Sequence, residues 1–128
     1  MELISLAYVA FGGAIGSVLR FISSFYISRL LVSSFPYSTF FVNIFGSLMM
    51  GVVIALIANL APDRLRAFYQ LFAVGVLGGF TTFSTFSYDS YMLIEKGLYL
   101  NAAFYICGSV IISIAALFIG MWLVKSLT

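Results

Sequence analysis

The sequence predicts an all-α membrane protein whose four transmembrane helices form one domain, residues 1–128, with the third helix broken near the bilayer midplane. Of the 128 residues, 63% are hydrophobic and 8% are charged, whereas a soluble domain carries roughly a quarter charged residues. Four apolar stretches each exceed the roughly 20 residues that a helix needs to cross about 30 Å of hydrocarbon. A Gly- and Thr-rich run inside the third stretch indicates the break.

The first stretch runs from Leu3 to Leu31. It is longer than the apolar core of a signal peptide, so we expect it to remain in the mature chain. Gly12 and Gly16 lie one helical turn apart, a spacing typical of closely packed membrane helices. Arg20 lies well inside the stretch, where a charge is costly unless it bonds to backbone carbonyls or reaches a membrane surface. We therefore expect Arg20 to face protein or water.

The second stretch, Tyr37 to Ala61, follows the turn residues 33–36. Asn43 lies early in it, and an amide at this depth is expected either to bond to a neighbouring helix or to face water. Ser47 and Gly51 repeat the one-turn spacing of small residues, which favours packing over ligand contact.

The third stretch, Ala67 to Ile94, follows a charged turn at residues 61–66 and contains Gly-Gly-Phe-Thr-Thr-Phe-Ser-Thr-Phe at residues 78–86. Adjacent glycines weaken a helix, and the hydroxyls can bond to freed backbone groups. Non-helical backbone at membrane depth persists only where protein buries it or water reaches it. The run therefore predicts a permeation path or, alternatively, close helix packing through Gly75 and Gly79. Asp89, beyond the run, is expected to pair with a hydroxyl, a basic side chain or a helix terminus.

The fourth stretch, Leu98 to Val124, follows the turn at residues 95–97 and contains Cys107, the only cysteine of the chain. An intrachain disulfide is therefore impossible. The sequence also has no histidine, which leaves transition-metal sites and His-dependent acid–base chemistry almost without ligands. We expect that the protein is not an enzyme.

The charges predict both orientations in the membrane. With four crossings, Arg64, Arg66 and Lys125 lie on the side of the termini, and Arg29 and Lys96 lie on the other. Three against two is a weak bias under the positive-inside rule. A chain that inserts both ways can pair with itself about an axis in the membrane plane, which predicts an antiparallel dual-topology homodimer.

Phe83 and Phe86 are three residues apart, so both rings lie on one face if the helix resumes after the break. Aromatic rings have electropositive edges, and two such edges can line a path for an anion without a fixed charge that would trap it. The alternative is ordinary core packing, the usual role of Phe.

The GGFTTFSTFS run at residues 78–87, Val42-Asn43 and the pair Gly16 and Arg20 closely resemble the small bacterial fluoride channel (Fluc) family. The resemblance covers essentially the whole chain in length, segment count and motif order. It implies a fluoride-selective passive channel of the bacterial inner membrane that exports cytoplasmic F⁻ and protects against its toxicity. It also implies an antiparallel homodimer in the lipid bilayer, with two pores and a central structural Na⁺, and no nucleic-acid partner.

Residue by residue, the resemblance implies that backbone carbonyls of Gly78 and Thr81 from each chain bind the Na⁺. Phe83 and Phe86 would form the ring-lined part of each pore. Asn43 would supply an amide donor beside the rings, and Arg20 would lie towards a vestibule.

The resemblance also implies a polar side of the path formed by Ser84, Thr85 and Ser113, with Thr39 and Tyr105 as weaker members. On the fourth helix Leu117 departs from the family's pattern, because some members carry a hydroxyl there. Fluoride is strongly hydrated, and dense hydrogen-bond donors are what its dehydration requires.

Two other functions are compatible with four short helices. A small multidrug exporter, which also forms dual-topology dimers, needs a membrane-embedded carboxylate, but the only acid before the second stretch is the terminal Glu2. A non-transporting membrane assembly subunit would use every polar residue structurally, and it predicts no ion flux in liposomes.

Overall fold

The computed structural model describes residues 2–59 and 65–128, and all regular structure within them is helical. Four helical spans are long and apolar enough to cross a membrane: Leu3–Leu30, Tyr37–Asn59, Arg66–Glu95 and Tyr99–Leu127. The predicted all-α architecture with four membrane-spanning helices is confirmed. Most of the predicted charged turn at residues 61–66, including Arg64, lies outside the described residues.

The first two spans are α1 (Leu3–Leu30) and α2 (Tyr37–Asn59), and the third is divided. Its first half, residues 66–80, consists of α3 (Arg66–Phe68), a π-helix (Tyr69–Leu77) and α4 (Gly78–Phe80). Its second half is α5 (Phe83–Glu95), and the fourth span is α6 (Tyr99–Leu127).

The break itself is two residues long. Thr81 and Thr82 have extended backbone, with ψ of 161° and 124°. The interruption is shorter than the run at residues 78–86 that indicated it, because Gly78 and Gly79 belong to the last helical turn before it. Thr82 then caps α5, since its Oγ1 accepts a hydrogen bond from the Thr85 N–H at 3.2 Å.

Glycines join α1 to the first half of the third span. A Cβ atom at Gly75 would lie 2.9 Å from Gly12 Cα, and one at Gly79 would lie 2.6 Å from the Gly13 carbonyl oxygen. Backbones this close leave no room for side chains. The prediction that the one-turn glycine spacings serve packing is therefore confirmed for α1 and residues 66–80.

A second close contact joins α2 to α6, which pack extensively against each other. A Cβ at Gly51 would meet the Leu117 carbonyl, and one at Gly120 would meet the Leu48 carbonyl. With α1 against residues 66–80 and α2 against α6, the break lies beside both α1 and α2. Side chains of α1 and α2 can therefore reach the two helix ends that meet at the break.

Candidate functional site

Two side chains from different helices hold the break. Asn43 Nδ2 donates to the Thr82 carbonyl at 3.0 Å, and the Thr82 N–H donates back to Asn43 Oδ1 at 2.9 Å. Arg20 Nη1 donates to the Thr81 carbonyl at 3.0 Å. Both side chains thus satisfy backbone groups that lack helical partners. Of the alternatives for these two residues, an inter-helix bond is confirmed for Asn43 and a bond to a backbone carbonyl for Arg20.

A cavity of about 310 Å³ opens beside the break, between α2, α5 and α6. We call it the Asn43 cavity. Its wall carries hydroxyl and amide groups together with aromatic rings. Its lining includes Asn43, Ser47, Thr82, Phe83, Phe86, Ser109, Ser113 and Leu117.

Two serine hydroxyls in this cavity have no hydrogen-bond partner among the described residues. Ser109 Oγ and Ser113 Oγ are both buried, and they lie one turn apart on α6. Leaving a buried polar atom unpaired costs about 1–3 kcal/mol, so these two hydroxyls are candidates for contact with a ligand or water. Ser113 was predicted and Ser109 was missed, although its four-residue spacing from Ser113 is a signal that the sequence contains.

Phe83 and Phe86 both line the Asn43 cavity, and their ring centroids are 5.4 Å apart. Their burial differs widely. Phe86 is 9% exposed and packs against Tyr105, with centroids 5.4 Å apart, whereas Phe83 is 77% exposed. Core packing therefore accounts for Phe86 within a single chain, but it does not account for Phe83.

A second cavity, of about 410 Å³, lies between the α1–α2 connection and α5. We call it the serine chamber, since hydroxyl side chains dominate its lining: Ser24, Ser28, Ser33, Ser34, Ser38, Thr39 and Thr85. The carboxylate of Asp89 also lines it. The Tyr105 hydroxyl, on a completely buried side chain, donates to Asp89 Oδ2 at 3.1 Å. The expected pairing of Asp89 with a hydroxyl is confirmed.

The polar residues assigned by resemblance therefore fall into separate places. Ser113 lines the Asn43 cavity, and Thr39 and Thr85 line the serine chamber. Tyr105 touches both neighbourhoods through Phe86 and Asp89. Ser84 is exposed at the start of α5, with its hydroxyl 3.4 Å from Thr82 Oγ1.

The carbonyls assigned to Na⁺ lie where α4 ends. Gly78 is exposed, and a Cβ added there would meet nothing nearer than the Ala73 carbonyl at 3.8 Å. Thr81 follows the last helical residue, and its carbonyl is held by Arg20. Carbonyl oxygens are suitable donors for a hard cation, so the residues present fit such an ion.

Comparison with known proteins identifies the family. The sequence profile of the family described as CrcB-like protein, Camphor Resistance (CrcB), matches residues 7–121. The chain is 47% identical to the Fluoride-specific ion channel FluC of Agrobacterium fabrum, over 98% of this chain and 99% of the relative. It is 43% identical to the protein of the same name from a Caulobacter species, over 94% of each chain. The match to the corresponding Campylobacter fetus protein is 37% identical over 98% of this chain and 97% of the relative. The chain belongs to the CrcB family.

Proposed function

We propose that this chain is a fluoride-selective passive channel that exports F⁻ and so protects the cell against fluoride toxicity. Its relatives are named fluoride-specific ion channels, and its four spans make it a multi-pass integral membrane protein of the bacterial inner membrane. It is not an enzyme. The observation that carries the proposal is the Asn43 cavity, which two unpaired serine hydroxyls line together with two aromatic rings.

The donors of the Asn43 cavity suit a small, strongly hydrated anion. Ser109 and Ser113 each offer an O–H that no described protein group accepts. An amide nitrogen carries two N–H groups, and Asn43 uses one of them on Thr82, which leaves the other for an anion. Such donors replace lost water, while ring edges of Phe83 and Phe86 attract the anion without a fixed charge. The lining of the cavity itself contains no charged side chain, so no ion pair holds the anion there, which favours passage over tight binding.

The surface of α5 supports assembly into a homodimer. Phe83 is exposed there, and a row of hydroxyl side chains follows it on the outside of the chain: Ser84, Ser87, Tyr88 and Tyr91. Hydroxyls on a membrane-spanning helix are costly against lipid and favourable against protein or water. We propose that a second copy of the chain covers this surface of α5. The weak charge bias allows that copy to insert in the opposite orientation, and the resulting dimer has two pores.

A structural Na⁺ is the third element of the proposal. The carbonyls of Gly78 and Thr81 from both chains would hold it at the centre of the dimer. When bound, the ion supplies a fixed positive charge that links the two breaks and favours anions nearby.

Ion efflux from liposomes tests the channel proposal. We expect purified protein in vesicles loaded with KF to release F⁻ when valinomycin is added, and vesicles loaded with KCl to retain Cl⁻. Equal release of both anions would refute selectivity, and F⁻ release that requires a proton gradient would refute a passive channel. No release of either anion would favour the assembly-subunit alternative.

Labelling in cells tests dual topology. A Cys107→Ser variant that carries one new cysteine after Thr128 removes the native thiol, which is exposed on α6. We expect a membrane-impermeant maleimide to label about half of the chains in intact cells, because the three-to-two charge count hardly biases insertion. Labelling of all chains, or of none until the membrane is permeabilised, would exclude the antiparallel dimer.

A further inference from the structure

The Thr81 carbonyl carries a feature that the anion path does not explain. The same oxygen that is assigned to Na⁺ accepts a hydrogen bond from Arg20 Nη1 at 3.0 Å. We propose that Arg20 and Na⁺ are competing ligands of this carbonyl. Arg20 holds the oxygen in the single chain, and the ion displaces it when two chains assemble. The proposal rests on the Na⁺ site and the homodimer of the proposed function.

Arg20 needs an internal partner because of its depth. Ten residues separate it from Leu30, the last residue of α1, which places it about 15 Å from that helix end. Its side chain reaches instead to the break, 61 residues later in the sequence. Asp89, the first acid after the break, accepts from Tyr105. The Arg20 guanidinium is therefore bound by a neutral oxygen, and another cation can bind that oxygen in its place.

The two residues of the break differ in how they are held. The Asn43 amide bonds to both the N–H and the carbonyl of Thr82. A cation cannot replace this amide, because a cation cannot accept the hydrogen bond from the Thr82 N–H. The Thr81 N–H and Oγ1 both donate to the Leu77 carbonyl at 3.0 Å. Only the Thr81 carbonyl is held by a cation alone, so it is the exchangeable group.

Charge makes the two ligands exclude each other. A carbonyl oxygen has two lone pairs, so shape alone would admit a guanidinium and an ion together. Two positive charges on one oxygen repel strongly away from bulk water, however, where neither high dielectric nor salt weakens the repulsion. Arg20 therefore lowers the affinity of the site for Na⁺. Once displaced, the guanidinium loses this acceptor, which happens only in the assembled channel.

A sodium titration tests the competition. Purified channel in detergent is titrated with NaCl against N-methylglucamine chloride at constant ionic strength, and the dimer fraction is measured by cross-linking. We expect Arg20→Gln, which keeps an N–H donor but loses the charge, to lower the half-saturating Na⁺ concentration by at least roughly fivefold. Arg20→Lys keeps the charge and should stay within roughly twofold of the wild type, as should Arg29→Gln, a charge loss near the end of α1.

The outcomes separate this proposal from the channel function. An unchanged or higher half-saturating concentration for Arg20→Gln overturns the competition. If neither wild type nor Arg20→Gln responds to Na⁺ while liposomes still release F⁻, the competition and the Na⁺ site fail and the fluoride channel stands. If the Na⁺ shift is found without F⁻ release, the competition stands and the channel function fails.

Wild-type protein gives a second reading in case Arg20→Gln does not fold. A guanidinium held by a carbonyl exchanges its Nη hydrogens slowly. In protein labelled with ¹⁵N-arginine, we expect one of the chain's four arginines to show slow exchange without Na⁺ and fast exchange after Na⁺ is added. Exchange that does not depend on Na⁺ would overturn the proposal.

Discussion

Residues 66–80 and α5 belong to one membrane span, yet they meet the rest of the chain in different ways. Residues 66–80 lie against α1 with glycine backbones in contact, as between Gly75 and Gly12. In contrast, α5 makes far less contact with its neighbours and exposes Phe83, Tyr88 and Tyr91. The half before the break is fixed by shape, whereas the half after it presents aromatic and hydroxyl groups outward.

This difference indicates how a small chain holds the exposed polar and aromatic surface of α5 in position. Close backbone packing on α1 fixes where α4 ends, and Arg20 and Asn43 fix the two residues that follow. The position of α5 is thus set at its first turn, so its remaining side chains are free to face a cavity or a second chain. Substitutions on the two halves should accordingly affect different properties: stability before the break and ion flux after it.

The largest expected effect is on stability. A Cβ at Gly16 would meet the Val76 carbonyl and lie 2.8 Å from the Phe80 nitrogen. Gly16→Ala therefore forces α1 away from residues 66–80, and we expect a loss of about 3 kcal/mol, the upper part of the usual range for overpacking. Thermal unfolding in detergent measures it. Gly13→Ala is the matched control, because nothing lies within 4 Å of a Cβ there. Equal losses for both variants would show that the glycine contact does not hold the halves together.

A substitution at the break should change both properties. Asn43→Ser removes the two bonds to Thr82, and at about 1 kcal/mol each the loss is about 2 kcal/mol of stability. We also expect F⁻ efflux to fall at least roughly tenfold, because the cavity loses an amide donor. Asn101→Ser, on the surface part of α6 where the amide contacts Ser34 at 3.5 Å, is the matched control and should change neither. Normal flux in Asn43→Ser would remove Asn43 from the anion path.

The phenylalanine pair separates a pore from a core. Phe83→Ile and Phe86→Ile should each cut F⁻ efflux by at least roughly tenfold, about 1.4 kcal/mol on the barrier, since both lose a ring edge. Stability should fall by about 1 kcal/mol for the buried Phe86 and by less than about 0.5 kcal/mol for the exposed Phe83. Phe104→Ile, exposed on α6, controls for loss of a ring elsewhere. If both variants conduct at wild-type rates, the rings serve packing alone.

The smallest effect is expected at the unpaired serines. Ser109→Ala and Ser113→Ala each remove one donor, so efflux should fall about threefold, in line with one weak hydrogen bond. Stability should stay the same or rise slightly, because a buried unpaired hydroxyl is lost. Ser126→Ala, whose hydroxyl bonds to Leu123 near the exposed end of α6, should leave efflux unchanged. A clear loss of stability in the two cavity variants would mean that these hydroxyls have structural partners.

Much of the fold could be predicted because apolar length and turn residues act locally. The four spans and the glycine contacts follow from hydropathy and from one-turn spacing of small residues. The precise site of the break could not be predicted in this way, since Gly78 and Gly79 look like the weakest part of the helix. They stay helical because α1 packs against Gly79, and packing of this kind depends on residues that are far away in sequence.

The site shows the same limit. Asn43 is singled out by its depth in the second stretch and Ser113 by the family resemblance, and their place in one cavity is visible only in three dimensions. Ser109 lacked a motif and was missed. Sequence also could not show that Arg20 bonds to Thr81 or that Thr85 lines a chamber other than that of Ser113, because these facts depend on how α1, α2 and α5 are rotated.

The π-helix at Tyr69–Leu77 gives the third span more residues than an α-helix of the same number of turns would contain. Its hydrogen bonds close over five residues instead of four, so the segment holds more residues per turn than an α-helix. We expect that deleting one residue at the exposed Val74 would let the segment return to α geometry. In a straight α-helix, the loss of one residue rotates everything after it by about 100°. Here the change from π to α geometry compensates for that rotation before the break. The register of the break is thus insulated from the loss of one residue in the segment that precedes it.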